Sequence, residues 1–124
     1  MQRRLLVAMA GLSTALVLAG AALSQRTATP KLTGTVGPGF TIKLNKGGAK
    51  VTSLKAGKYT FAIADKSNLH NFTLEQEKGG KFEKHLTGTP FTGNKSVTVT
   101  LKRGKWKYYC SVHEDSMFGF FTVK

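Results

Sequence analysis

Apolar and polar residues alternate with a period of two along most of the chain beyond residue 39. Because successive side chains of a β-strand point to opposite faces, this alternation predicts strands with one buried and one solvated face. The alternating runs lie at residues 40–45, 58–63, 72–75, 96–101 and 105–108. A final run, Phe118–Val123, is apolar at both parities apart from Gly119 and Thr122, which is typical of a central strand covered on both faces.

Glycine-containing turn signals separate these runs, among them Gly37-Pro38-Gly39, Lys46-Gly47-Gly48 and Arg103-Gly104. No stretch beyond residue 24 has the spacing of an amphipathic helix, and residues 79–93 have no clear period. Seven or eight short strands at this spacing predict an all-β fold, namely an antiparallel Greek-key β-sandwich. We expect residues 79–93 to form an irregular excursion from it.

The first 24 residues have the composition of an export signal. Arg3 and Arg4 precede an uncharged, largely apolar stretch from residue 5 to residue 23, which ends in small residues. A stretch of this length is also just long enough to remain as a membrane anchor. We therefore expect residues 1–24 to be a signal peptide or an uncleaved anchor. Residues 25–33 are expected to be a flexible lead-in, and residues 34–124 to form one domain.

The charge of the chain is strongly positive. Removing Arg3 and Arg4 from the 19 basic residues leaves 17 against 6 acidic ones, a formal charge of +11 for residues 25–124. Such a surface favours acidic partners. Residues 105–109 interleave cations with aromatic rings, as nucleic-acid-binding surfaces do. The lysines are nevertheless scattered and the protein is expected to be exported, so we expect no nucleic-acid binding.

Cys110 is the only cysteine, and an unpaired thiol in an exported protein requires an explanation. Its neighbours His113 and Met117, with His70 upstream, make a thiolate, two imidazoles and a thioether. Structural zinc prefers four thiolate or nitrogen donors, and attachment of c-type haem needs a second cysteine. The mixed set is that of a mononuclear blue-copper centre. The alternative is a buried, inert cysteine.

A wider motif surrounds these donors: His70-Asn71, then Tyr109-Cys110-x-x-His113-x-x-x-Met117-x-Gly119. It resembles the cupredoxins, the small blue-copper proteins that include plastocyanin, amicyanin and pseudoazurin, and the resemblance covers roughly residues 31–124. It implies a copper ion with His70, Cys110 and His113 as equatorial ligands and Met117 as the axial ligand. The spacer between His113 and Met117 is one residue longer than in amicyanin and one shorter than in plastocyanin.

The resemblance also implies what surrounds the ion. Asn71 would hydrogen-bond across to the cysteine loop, with Phe118 and Gly119 beside the ligands. We expect an apolar rim around the edge of His113, formed by Gly37, Pro38, Met117 and Phe118. The third histidine, His85, is expected to be an exposed surface residue.

Together these features predict an exported type-1 copper protein that transfers single electrons between redox partners and is not an enzyme. The expected partner is an acidic-faced redox protein or a membrane electron-transfer complex. We expect a monomer, located in the periplasm or another extracytoplasmic part of the cell envelope, and bound to the membrane only if residues 1–24 are retained. Two alternatives stay open: a cell-envelope copper carrier or buffer, and a binding module whose ligands are vestigial.

Overall fold

The computed structural model describes residues 28–124, so the predicted signal peptide and most of the lead-in lie outside the described residues. This part of the chain is all-β, as predicted, and it contains ten strands in two five-stranded sheets. The strands are β1 (Lys31–Val36), β2 (Ile42–Lys46), β3 (Ala49–Lys50), β4 (Ser53–Leu54), β5 (Gly57–Asp65), β6 (Thr73–Lys78), β7 (Glu83–His85), β8 (Gly93–Leu101), β9 (Gly104–Tyr109) and β10 (Phe118–Val123). Within these residues no helix is long and apolar enough to cross a membrane.

The two sheets differ from the prediction in strand number, which is ten and not seven or eight, and in strand direction. The first sheet has the order β3-β2-β1-β5-β8, and the second has the order β4-β10-β9-β6-β7. Most neighbouring strands are antiparallel, but β1 pairs with β5, and β10 with β4, in parallel. The sandwich is therefore confirmed, with mixed pairing in both sheets.

The core lies between the sheets and is built by the alternation seen in the sequence. Tyr59, Phe61 and Ile63 of β5 face inward from the first sheet, and Trp106 and Tyr108 of β9 face them from the second. Burial of one large apolar side chain contributes about 1.5–3 kcal/mol. Within residues 28–124 the two sheets enclose one continuous apolar core, as expected of a single domain.

One boundary and one segment differ from the prediction. Residues 31–33, assigned to a flexible lead-in, are the first half of β1, where Leu32 is fully buried. The domain therefore begins three residues earlier than expected. Within residues 79–93, the three-residue strand β7 pairs with β6 and extends the second sheet. Strands of two or three residues are too short to show a period, which explains why β3, β4 and β7 were not predicted.

Three apolar residues were assigned to the wrong environment. Phe40 was expected to start an inward-facing strand, but it lies before β2 in a bend and is 63% exposed. In β10, Phe118 and Phe120 are exposed at 47% and 41%, while Phe121 and Val123 are buried. The strand lies between β4 and β9, so it is central in its sheet, but only one of its faces is covered.

Strand β5 links the two ends of the sandwich. It runs from Gly57 to Asp65, and the steps between its nine residues, about 3.3 Å each, add up to roughly 26 Å. Its last residue pairs with Val36, so the loops that follow β1 and β5 leave the sandwich at the same end. We call this the loop end. The opposite end, where β5 starts and β10 finishes, is called the far end.

Candidate metal centre

Cys110 directly follows β9 and is fully buried at the loop end. The chain then returns into β10 through residues 110–117, which we call the cysteine loop. Hydrogen bonds within the backbone close this loop. The Cys110 N–H donates to the Met117 carbonyl over 3.0 Å, and the His113 N–H donates to the Cys110 carbonyl over 3.1 Å. Because β9 and β10 pair along their whole length, this loop has little freedom to change shape.

His70 lies on the loop between β5 and β6 and is 3% exposed. Its Nδ1 atom lies 3.0 Å from the Nδ1 atom of His113. The Cys110 Sγ atom lies 3.8 Å from each of these nitrogens. The structure therefore brings His70, Cys110 and His113 together, although 40 residues separate the first two along the chain.

The size of this triangle suits a transition-metal ion. A point equidistant from three atoms separated by 3.0, 3.8 and 3.8 Å lies about 2.1 Å from each of them. Zinc, as a first-row reference, binds imidazole nitrogen at about 2.0–2.1 Å and thiolate sulfur at about 2.3 Å. The three donor atoms therefore already stand at the separation that a shared ion requires.

The type of donor narrows the choice of metal. One thiolate and two imidazoles in a trigonal arrangement, with a weak axial thioether, is the ligand set of a blue-copper centre. Met117 is buried on the loop that also carries Cys110 and His113, and its N–H donates to the His113 carbonyl over 2.9 Å. Its role as the axial donor stays a prediction.

Asn71 ties the β6 side of the site to the cysteine loop, as expected. Its Nδ2 donates to Ser111 Oγ over 2.7 Å, and its Oδ1 accepts the Ser111 N–H over 3.0 Å. Its own backbone N–H points at the Cys110 sulfur over 3.5 Å. The side chain is 3% exposed, so these bonds form away from water and hold the loop strongly.

A chain of hydrogen bonds extends this contact to the surface. The Ser111 N–H can only donate, so the atom of Asn71 that faces it must be Oδ1. The Thr73 hydroxyl therefore donates its only proton to the same oxygen over 2.8 Å. His85 Nδ1 lies 2.6 Å from that hydroxyl and must then be the donor. His85 is exposed and lies outside the donor cluster, as predicted. Its hydrogen bond to Thr73 was not predicted.

Phe40 is the main residue that the sequence analysis missed. Its ring packs edge-on against both imidazoles, with centroid distances of 5.5 Å to His70 and 4.9 Å to His113. It stands next to the Gly37-Pro38-Gly39 turn that was expected to contribute to the rim. Residues 40–45 alternate without a break in the sequence, so nothing local indicated that Phe40 lies outside the strand.

The predicted positions around the ligands are only partly as expected. Phe118 lies on the outer face of β10, where it packs against Phe120 at 5.7 Å. A contact between Phe118 and His113 stays a prediction. Gly119 lies on the opposite, inward face of β10, where a Cβ atom would overlap the ring of Tyr108. That ring stacks on Phe72 at 5.9 Å, so Gly119 shapes the core below the site.

The charges near the loop end are unevenly paired. Glu114 on the cysteine loop forms an ion pair of 2.7 Å with Lys107 of β9. On the neighbouring strands, burial and the nearby Glu77 and Glu83 raise the pKa of Glu75. Burial, together with a hydrogen bond to Glu83, also raises the pKa of Tyr109. Tyr109 therefore stays a neutral hydrogen-bond donor beside the cysteine.

The two sheets, with a His–Cys–His cluster on the loops at one end, define a protein with the cupredoxin fold and a candidate mononuclear metal site. Solved structures of rusticyanin are similar to it. One, described as a copper protein, has a TM-score of 0.52 and 22% identity over 77% of this chain and 78% of that chain. Reduced rusticyanin gives 0.51 and 21% over 77% and 79%.

A mutant of rusticyanin is similar to the same extent, with a TM-score of 0.51 and 21% identity over 77% of this chain and 78% of that one. No protein-family model and no curated protein matches the chain. At these identities the similarity shows the fold, and the chemistry has to be argued from this chain's own residues.

Proposed function

We propose that the protein binds one copper ion and transfers single electrons. The observation that carries this proposal is the triangle of His70 Nδ1, Cys110 Sγ and His113 Nδ1. The similarity to rusticyanin, a copper protein, supports it. No group in the proposal acts as a nucleophile or a general base, so we propose a carrier and not an enzyme.

The residues around the site perform three tasks in this mechanism. His70, Cys110 and His113 would hold the ion, and bound copper would supply a reversible one-electron couple. The paired strands β9 and β10 and the Asn71 hydrogen bonds keep the donor atoms in place, so little rearrangement accompanies a change of charge. His70 and Cys110 are buried, while His113 is only half-buried. An electron would therefore enter and leave through the edge of the His113 ring.

Absorption spectroscopy tests the proposal directly. The purified protein with Cu(II) is expected to show an intense visible thiolate-to-copper band that disappears and returns on reduction and oxidation. Cys110→Ser should abolish the band, whereas Ser96→Ala, on an exposed part of β8, should leave it unchanged. Wild-type protein without the band, or Cys110→Ser with it, would refute the proposal.

Copper carriage is the second candidate function. The half-buried His113 favours it, because a partly accessible ligand gives a chelator or an acceptor protein a path to the ion. The two functions predict different kinetics. Fast electron self-exchange with slow loss of Cu(I) to a chelator would support electron transfer, and the opposite result would support carriage.

The location and partner are also proposals. The sequence of residues 1–24 supports export to the periplasm or the outer side of the cell envelope. The positive charge of residues 25–124 supports an acidic-faced redox protein or membrane complex as the partner. Association with such a partner should slow as salt concentration rises, and salt-independent kinetics would contradict this.

A further inference from the structure

An open cleft of about 640 Å³ lies at the far end of the sandwich. Leu54 and Tyr59, both buried, contribute to its wall, and the Tyr59 hydroxyl donates to the Lys55 carbonyl over 2.7 Å. Four exposed lysines line the same cleft: Lys46, Lys55, Lys58 and Lys124. The cleft therefore combines an ordered wall with a cationic rim.

No acidic side chain neutralises this rim. Residues 28–64 contain no aspartate or glutamate at all. The acidic residues occur at position 65, at positions 75 and 77 on β6, at position 83 on β7, and at positions 114 and 115 on the cysteine loop. Among the described residues the one ion pair is Lys107–Glu114, far from the cleft. The rim of the cleft is thus cationic without an acidic member, while Glu77, next to the end of β6, is the acidic residue at this end of the second sheet.

The position of the cleft in the molecule is equally specific. Gly57, where β5 begins, lines the cleft, whereas β5 ends beside the metal site roughly 26 Å away. Pro30 also lines it, and the Pro30 carbonyl accepts a hydrogen bond from Thr60. The chain therefore enters the fold at the far end, and only residues 24–29 separate this point from the apolar stretch that ends at Leu23.

We propose that the far end is a docking surface for an anionic lipid membrane, which leaves the loop end facing away from the lipid. Lysines close to an anionic bilayer each contribute an independent attraction, and four of them line one cleft that contains no acidic side chain. An acidic protein would satisfy the same charges. The membrane is favoured because the chain enters the fold at this end, a few residues after the apolar stretch that we propose directs export through a bilayer; this argument rests on that proposed export. The proposal does not depend on copper.

Vesicle sedimentation tests the surface, using the chain from Gln25 onward, which contains the whole described fold. The protein is expected to bind phosphatidylcholine vesicles that contain phosphatidylglycerol, and not vesicles of phosphatidylcholine alone. Lys55→Gln with Lys58→Gln should weaken binding about tenfold or more. The control, Lys84→Gln with Lys95→Gln, removes the same charge from exposed positions outside the cleft and should weaken it much less.

Orientation is tested separately by NMR with spin-labelled lipid headgroups. Amide signals of residues 54–58 should broaden on binding, and those of residues 110–117 should not. Equal losses in the two double variants would overturn the proposal, because net charge alone would then explain binding. Broadening at the loop end, no binding to anionic vesicles, or tighter binding to polyglutamate than to vesicles would overturn it as well.

Discussion

At the scale of single residues, Asn71 contributes most to the geometry of the site without being a ligand. Its side chain bonds to Ser111, Thr73 and Thr89, and its backbone points at the Cys110 sulfur. It therefore fixes the cysteine loop relative to β6. The sequence indicated this role only through the resemblance, because Asn71 and Ser111 are 40 residues apart.

Asn71→Ala is expected to lower the free energy of unfolding by about 2–4 kcal/mol, because buried partners such as the Thr73 hydroxyl lose their hydrogen bonds. Urea denaturation of the metal-free protein measures this. Asn94→Ala, an exposed asparagine on β8, is the matched control and should change stability by no more than about 0.5 kcal/mol. If Asn71→Ala lost no more unfolding free energy than Asn94→Ala, the Asn71 hydrogen bonds would not contribute to stability.

The hydrogen-bond chain to the surface makes a second prediction at this scale. Neutral His85 is expected to carry its proton on Nδ1, because the Thr73 hydroxyl has already donated to Asn71. Nitrogen-15 NMR of the ring distinguishes the two tautomers directly. Thr73→Val removes the acceptor and should release this preference. A neutral His85 protonated on Nε2 in the wild-type protein would contradict the assigned direction of the whole chain.

At the scale of elements, the packing of β9 against β10 supports the site from below. Gly119→Ala would force a methyl group into the Tyr108 ring, which stacks on Phe72. We expect a loss of about 1–3 kcal/mol in unfolding free energy, as for other overpacked cores. Gly88→Ala is the control, since its nearest neighbour would be 3.9 Å away. Thermal and urea unfolding that treat both variants alike would contradict this account.

The acidic residues of β6 and β7 give a pH dependence. Because burial and the nearby Glu77 and Glu83 raise the pKa of Glu75, the folded state is penalised when this carboxylate is ionised. The penalty is absent below the unfolded pKa, near 4.5, and complete above the raised one. Glu75→Gln should therefore raise the Tm at pH ~7 and have little effect at pH ~3.5. An equal effect at both values would contradict this cause.

Elements with a clear period were predictable, and those that depend on distant partners were not. The alternation in β5 and β9 directly reports one buried face, so both strands and their core residues were expected. The parallel pairing of β1 with β5 has no local signal, because it is decided by how the intervening strands pack. The apolar run in β10 was misread, since two phenylalanines on its outer face pack under lysine side chains and not under a second layer.

The same distinction applies to the site. Cys110 and His113 lie on one short loop, so their proximity follows from spacing alone. His70 was proposed as a second imidazole donor from the residue types alone, and the family resemblance then made it an equatorial ligand. Phe40 touches both imidazoles from a separate loop, and no local pattern could have revealed that contact.

At the scale of the whole molecule, charge controls association. Residues 25–124 carry a formal charge of +11, so identical copies repel each other at low ionic strength. We expect a monomer at low and at moderate salt concentration, and analytical ultracentrifugation measures this. A dimer that persists at low salt would contradict the expectation and would point to an interface strong enough to overcome the repulsion.

The closed backbone of the cysteine loop has a consequence for how such a protein can evolve. Two of the three clustered donors, and the methionine, are encoded within eight consecutive codons, between strands that pair along their whole length. Insertions, deletions or exchanges in that short stretch can alter the environment of the ion while the scaffold is inherited unchanged. Natural selection can thus diversify reactivity here without first solving the folding problem again.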